Sequence, residues 1–293
     1  MKNYLGIGIL ALALVACGSN KEVKHDVGEG PANGTEDRSY LNCRNDDGTI
    51  SVGIVNGSQV GTQDPHSNLA VMLVMDHGRD EKGHYKGSTC TGTPISDRVI
   101  LTAAHCVKDL KKTAVHAVFH NNIKCSSGYD PKTKMIPAID VVINSEYKGK
   151  ADAKDDLALV KLASPIPSHY PIATLYDGKS ALSSDDVLMI GYGITSEMNN
   201  DHRVLRKTIK SFKKDSLVQD NNIVFDQRNS TGGVCSGDSG GPIYVQVDGQ
   251  YQIVGINSVV TGASEYTACH EFSIALYAPF YNPWIQTELA KIK

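Results

Sequence analysis

Along most of its length the chain alternates short apolar runs with clusters of Gly, Pro, Asn and Asp. The runs fall at 69–75, 98–102, 114–119, 139–143, 157–162, 187–190, 223–225, 242–247, 252–258 and 272–277. Runs this short, rich in Val, Ile and Leu and bounded by turn-forming residues, predict strands rather than helices. Their even spacing predicts an all-β protein of antiparallel strands, which composition alone allows to be a sandwich or a barrel. Helical patterning is confined to the last stretch, where 283–293 reads as a short amphipathic helix beginning near Asn282.

The first 53 residues break this pattern. Lys2 precedes an apolar run over 4–16 that is interrupted by Gly6 and Gly8. It is too short to cross a bilayer comfortably and reads as an export signal. The run ends Leu14-Val15-Ala16-Cys17, which resembles the bacterial lipobox. That resemblance implies diacylation of Cys17 and anchoring in a bacterial cell envelope, because two acyl chains hold a protein at a membrane stably. Gly18 after the cysteine implies sorting to the outer membrane, with later shedding as an alternative. Residues 18–53 are polar and Gly-rich, and predict a flexible tether followed by a propeptide.

At 293 residues the chain can bury a substantial core, as one two-lobed unit or two small domains. A net charge of −3 argues against nucleic acid as a partner. Of the seven cysteines, setting aside Cys17 leaves six, an even number suited to an oxidising compartment. No CxxC or HExxH spacing occurs, so no metal site is expected. No cofactor motif stands out.

Three motifs carry chemistry. Cys235-Ser236-Gly237-Asp238-Ser239-Gly240-Gly241-Pro242 sets one serine among glycines, which let backbone N–H groups converge beside its hydroxyl. A nucleophilic serine needs a base, and the base needs an orienting group. Leu101-Thr102-Ala103-Ala104-His105-Cys106 sets a histidine among small residues that leave it accessible. Asp155-Asp156-Leu157-Ala158-Leu159 sets acids at the mouth of an apolar run. Alone, the serine loop could equally be a glycine-rich turn; the other two motifs make the case.

In this order the three motifs resemble those of the chymotrypsin/trypsin family of serine endopeptidases. The resemblance spans roughly four-fifths of the chain, from the Ile-Val-Asn-Gly start at Ile54 through Gly191-Tyr192-Gly193 and Val254-Gly255-Ile256-Asn257-Ser258 to the tail around Trp284. It implies two six-stranded antiparallel β-barrels with a short C-terminal helix. The implied division is a signal over 1–16, a tether and propeptide over 17–53, and a protease domain over 54–293. Within that domain the barrels would span about 54–163 and about 186–281, joined by a linker over about 164–185 and followed by the helix from about 282.

The resemblance also implies roles. Ser239 would attack the scissile carbonyl of a protein or peptide, with His105 as base and Asp156, rather than Asp155, as orienting acid. The N–H groups of Gly237 and Ser239 would form the oxyanion hole, and Ser258 would border the triad. Cleavage before Ile54 would free an α-amino group to pair with Asp238. Bridges Cys90–Cys106 and Cys235–Cys269 are implied, with Cys43–Cys125 as a third pair that departs from the family's pattern. The trypsin-like pocket acid is replaced by Gly233, with Val234 beside it, while Val259, Val260 and Ala275 fall at lining positions. A narrow, uncharged, elastase-like pocket taking small or medium aliphatic P1 residues is expected. Gly53 before Ile54 makes a trypsin-like activator unsuitable. The protein is expected to act as a monomer. Two other readings stay open: a catalytically silent homologue that serves as a surface binding module, and an enzyme confined to esters or a single host protein.

Overall fold

The computed structural model of the protein describes residues 54–83, 85–123, 135–149, 153–195, 202–228, 232–262 and 269–292. The expected signal, the tether, Cys17, Cys43 and Cys125 lie outside the described residues. Fifteen strands form: β1 (Ser58–Gln59), β2 (Val71–Arg79), β3 (Tyr85–Pro94), β4 (Val99–Thr102), β5 (Val115–Val118), β6 (Met135–Ile143), β7 (Ala158–Leu162) and β8 (Thr174–Leu175) in the first half. They continue as β9 (Asp186–Gly191), β10 (Arg206–Ser211), β11 (Ser216–Gln219), β12 (Asn222–Asp226), β13 (Pro242–Val247), β14 (Gln250–Thr261) and β15 (Phe272–Tyr277). Two four-residue helices, α1 (Ala104–Val107) and α2 (Phe212–Asp215), interrupt them, and α3 (Ala278–Ile292) closes the chain.

The apolar runs become strands, as expected. The strands absent from that reading are those without such runs. β3 is Tyr-Lys-Gly-Ser-Thr-Cys-Thr-Gly-Thr-Pro, held in place by pairing with β2 and β4 rather than by its own hydrophobicity. β10 is Arg-Lys-Thr-Ile-Lys-Ser, a polar segment with a single isoleucine, and finds its place against β9. The first sheet is a closed antiparallel barrel in the order β2-β3-β4-β7-β6-β5. The second holds nine strands along the path β1-β10-β9-β13-β14-β15-β12-β11, with β8 added beside β14. α3 starts four residues earlier than the sequence pattern suggested, because Ala278 and Tyr281 are already buried with Ile285 and Leu289. Pro283 lies inside this helix and leaves one main-chain bond unmade.

The two sheets share one core. Leu101 and Leu159 of the barrel pack in the same buried cluster as Ile190, Tyr192, Ile256 and Leu276 of the second sheet, and as Ile285 of α3. Tyrosine hydroxyls pin the seam: Tyr244 donates to the Leu69 carbonyl at 2.7 Å and Tyr192 to the His120 carbonyl at 3.2 Å. Among the described residues two disulfides form, Cys90–Cys106 in the barrel and Cys235–Cys269 in the second half. A 16-residue separation, as in the first, is worth about 3 kcal/mol of loop-closure entropy.

At the edge of the seam, Asp64 receives Lys207 Nζ at 2.6 Å and the His66 amide at 2.9 Å, while His66 Nε2 lies 2.8 Å from the Tyr251 hydroxyl. Burial works against the Asp64 charge, but the hydrogen bonds from Lys207 and His66 outweigh it and hold the carboxyl down to about 2. An acid whose pKa falls on folding adds stability that is complete above its unfolded value, about 3.9, and is lost as pH drops through the folded one. Asp64→Asn is therefore expected to cost about 1 kcal/mol near neutrality. In denaturant titrations the gap between wild type and variant should close between about pH 4 and pH 2; a gap constant across that range would contradict the assignment.

Candidate active site

The site is assembled from the ends of elements on both sides of the seam. β4 is buried at all four positions and ends at Thr102. The small Ala103 and Ala104 let the chain turn at once into α1, whose second residue is His105. β7 enters from the opposite direction through a tight turn in which Ala153 and Asp155 take positive φ (60° and 58°). Such a conformation is costly for residues with a Cβ, so something must hold it. Tyr281 of α3 does: its hydroxyl accepts the Asp155 amide at 3.1 Å and is donated to by Asn221.

That turn delivers Asp156 to His105. Asp156 Oδ2 lies 2.6 Å from His105 Nδ1, and Oδ1 accepts the His105 amide at 2.8 Å. Ser258, on β14 of the other sheet, donates its hydroxyl to the same Oδ2 at 2.5 Å. The Asp156 side chain is 2% exposed and that of His105 is 23% exposed, so the carboxylate is sealed while the imidazole still faces solvent. Burial pushes the Asp156 carboxyl up, but hydrogen bonds from the His105 ring, the Ser258 hydroxyl and the His105 amide prevail, and it lies below its ordinary value. Asp155 is half-exposed and meets Tyr281 through both its amide and its side chain, away from His105.

Ser239 sits where β13 begins. Its hydroxyl is directed at the Ser258 carbonyl, 3.5 Å away, in this ligand-free state. Gly237, at φ +98°, has its α-carbon against the Gly193 backbone, where a Cβ would meet Gly193 Cα at 2.9 Å. The amides of Gly237 and Ser239 donate to no group among the described residues, whereas Asp238, Gly240 and Gly241 all use theirs. Asp238 is fully buried, and its carboxylate accepts the amides of Gly193 (2.8 Å) and Cys235 (2.9 Å). Ile54 is also fully buried, and Val55 forms a bridge with Gly233 through a 3.0 Å bond.

Thr91, a barrel residue beside Cys90, is what sequence reasoning missed. Its amide donates to the Ser239 carbonyl at 2.9 Å and its hydroxyl to the Gly237 carbonyl at 2.9 Å, while the Tyr192 amide donates to that hydroxyl at 3.0 Å. One buried threonine thus ties the serine loop to the barrel. No local motif marks it, because all of its partners are distant in sequence.

Beside Ser239 opens a small pocket lined by Val234, Cys235, Asp238, Asn257, Ser258, Val259 and Val260. Of the residues expected to line it, Val234, Ser258, Val259 and Val260 do so. Ala275 is buried behind it, paired with Asn257 across β14 and β15. Gly233 packs against the carboxamide of Gln227, which holds the Val234 amide at 2.8 Å and donates to the Cys269 carbonyl at 2.8 Å. Gln227 thus backs the position where a trypsin-like acid would stand. The one tight grouping of metal-ligand types among the described residues is Cys90, His105 and Cys106. Its two sulfurs form a disulfide and are not thiolates, so this set does not suit a metal.

The sequence matches the family described as Trypsin over residues 59–285. The chain belongs to the trypsin family. Among curated relatives it is 26% identical over 211 residues to Serine protease SSP1 of Scolopendra subspinipes, covering 68% of this chain and 73% of that protein. It is 27% identical over 187 residues to Chymotrypsin-like elastase family member 1 of Canis lupus familiaris, covering 59% and 70%. It is 24% identical over 225 residues to Vitamin K-dependent protein C of Rattus norvegicus, covering 70% of this chain but 47% of that longer protein. The mostly-β architecture, with a closed six-stranded barrel, a second sheet and a C-terminal helix, is that of a trypsin-like fold.

Thr91→Val removes a hydroxyl while keeping shape, and strands the Gly237 carbonyl and the Tyr192 amide. Thermal unfolding should lose about 2 kcal/mol, and turnover should fall because Ser239 and Gly237 are no longer fixed. Thr91→Ser should restore most of both. Equal losses in the two variants would show that packing, and not the hydroxyl, matters.

Proposed function

We propose that the protein is a serine endopeptidase using Ser239, His105 and Asp156. The observation that carries this reading is the Asp156–His105 pair, its carboxylate sealed and its imidazole open, beside a serine loop in which the Gly237 and Ser239 amides have no partner among the described residues. Attack requires the hydroxyl to swing from the Ser258 carbonyl to His105 Nε2, a tightening that ligand-free sites commonly await. Ser239 Oγ then bonds to the scissile carbonyl carbon and its proton passes to His105. The carbonyl oxygen takes the negative charge and accepts the Gly237 and Ser239 N–H groups, each worth about 3–4 kcal/mol of transition-state stabilisation. His105 returns the proton to the departing amine as the C–N bond breaks, and water resolves the acyl-enzyme by the same steps. Asp156 holds the imidazole in the required tautomer and stabilises its charged form.

The protein is made as a precursor. Cleavage before Ile54 frees an α-amino group in a segment that already lies buried against Gly233, in the same loop as Asp238. Pairing that amine with Asp238 acts as a switch, because a buried carboxylate deprived of its partners is strongly destabilising. The residue before the cut is Gly53, which favours an activator tolerant of small residues, including this enzyme itself.

The P1 side chain accepted is small or medium and uncharged. Val234, Val259 and Val260 narrow the pocket, and its one acid, Asp238, is spent on main-chain amides. The likeness to Chymotrypsin-like elastase family member 1 agrees with this. Lipidation of Cys17 would hold the enzyme at a bacterial envelope, a proposal resting on the 14–17 motif alone, since the relatives named above come from animals. The binding-module alternative is disfavoured because every part of the hydrolytic constellation is present.

A peptide library varied at P1 tests the reading, with Ser239→Ala as blank and N-terminal sequencing of the active form. Cleavage after small uncharged residues by a species beginning at Ile54 is expected, and the blank should be silent. Cleavage confined to Arg or Lys would refute the pocket assignment, and a different N-terminus the activation step.

A further inference from the structure

Asn257 sits on β14 directly behind Ser239, fixed by its backbone. Its amide donates to the Gly241 carbonyl at 2.9 Å, and its carbonyl accepts the Gly240 amide at 2.7 Å. It lines the pocket and is 3% exposed, yet among the described residues neither the oxygen nor the nitrogen of its carboxamide has a hydrogen-bond partner. Buried polar groups are almost always paired, and an orphaned carboxamide in a ligand-free pocket is a place where a ligand atom completes the set.

The neighbours cannot complete it. The Ser258 hydroxyl is committed to Asp156 and the Asp238 carboxylate to the amides of Gly193 and Cys235, while the Ser239 hydroxyl is directed at the Ser258 carbonyl and serves His105 in the mechanism above. Gln227, the other buried carboxamide near the pocket, shows the contrast: it meets the amide and carbonyl of Val234 and the carbonyl of Cys269. Gln227 is thus part of the wall, whereas Asn257 presents an unused donor and an unused acceptor among valines.

We infer that Asn257 is a specificity-determining residue that selects P1 side chains ending in a neutral hydrogen-bonding group, a hydroxyl or a carboxamide, over aliphatic side chains of the same shape. This rests on the peptidase reading above and sharpens its uncharged pocket. A carboxamide can donate to and accept from Thr, Ser or Asn, but an aliphatic P1 would seal it in without a partner. Binding Val in place of Thr therefore forfeits a hydrogen bond and leaves two polar atoms stranded, a discrimination that apolar walls alone cannot make.

The test compares isosteric P1 pairs, Thr against Val and Asn against Leu, in otherwise identical peptides, using the full chain matured on export. Wild type is expected to show kcat/KM about tenfold higher for the polar member of each pair. In Asn257→Leu the ratio should fall to one or below, with Val and Leu peptides cleaved at least as well as by wild type. Ratios at or below one in wild type would overturn the inference without any need for the variant, and so would an unchanged ratio in a folded Asn257→Leu. Cleavage of none of the four peptides, or of any other, would bring down the peptidase reading along with it.

Discussion

The structure turns on one buried carboxylate. Asp156 lies at the junction of the two sheets, where it is reached by the ring and amide of His105 from the barrel and by the hydroxyl of Ser258 from β14. An ionised acid this deeply buried is tolerable only if all of its lone pairs are met, and removing any donor would leave charge uncompensated. The three donors therefore fix the relative placement of both halves as firmly as they fix the imidazole. The geometry that orients the imidazole is also what registers barrel against sheet.

The serine loop obeys the same logic, with one neutral hydroxyl and one further buried carboxylate. Thr91 reaches from the barrel to hold the carbonyls of Gly237 and Ser239, and Asp238 gathers the amides of Gly193 and Cys235 beneath them. With these carbonyls held, the Gly237 and Ser239 N–H groups are left without an acceptor among the described residues. Positive φ at Gly237, together with the Gly193 backbone against its α-carbon, makes any larger residue at that position a clash. Rigidity in the loop is what would let those two donors act without reorganising during a reaction.

Much of this was legible in the residue order, and what was not has a common cause. The apolar strands β4, β7, β13 and β15 announced themselves because their own side chains fill the core. β3 and β10 did not, since Gly, Ser, Lys and Arg break up any apolar run there and only neighbouring strands supply the pairing. His105, Asp156 and Ser239 stood out by their local settings of small or apolar residues. Thr91 and Tyr281 act on the site through partners dozens of residues away or more, and Gln227 joins Val234, seven residues on, to Cys269, 42 residues on, so no short window of sequence contains their role. Asn257 was a different case: a polar residue closing the run Ile253-Val254-Gly255-Ile256 was visible, but only its burial without a partner gives that oddity a meaning.

Reaction of the protein with a fluorophosphonate tests the central claim most directly, with the adduct mapped by peptide mass spectrometry and its formation rate followed. A single adduct on Ser239 is predicted, forming far more slowly in Asp156→Asn, where the imidazole loses its orienting charge and the tautomer it needs; the corresponding loss in the family's triads is about 10⁴ in kcat. Labelling elsewhere, no labelling, or an Asp156→Asn rate equal to wild type would contradict the account.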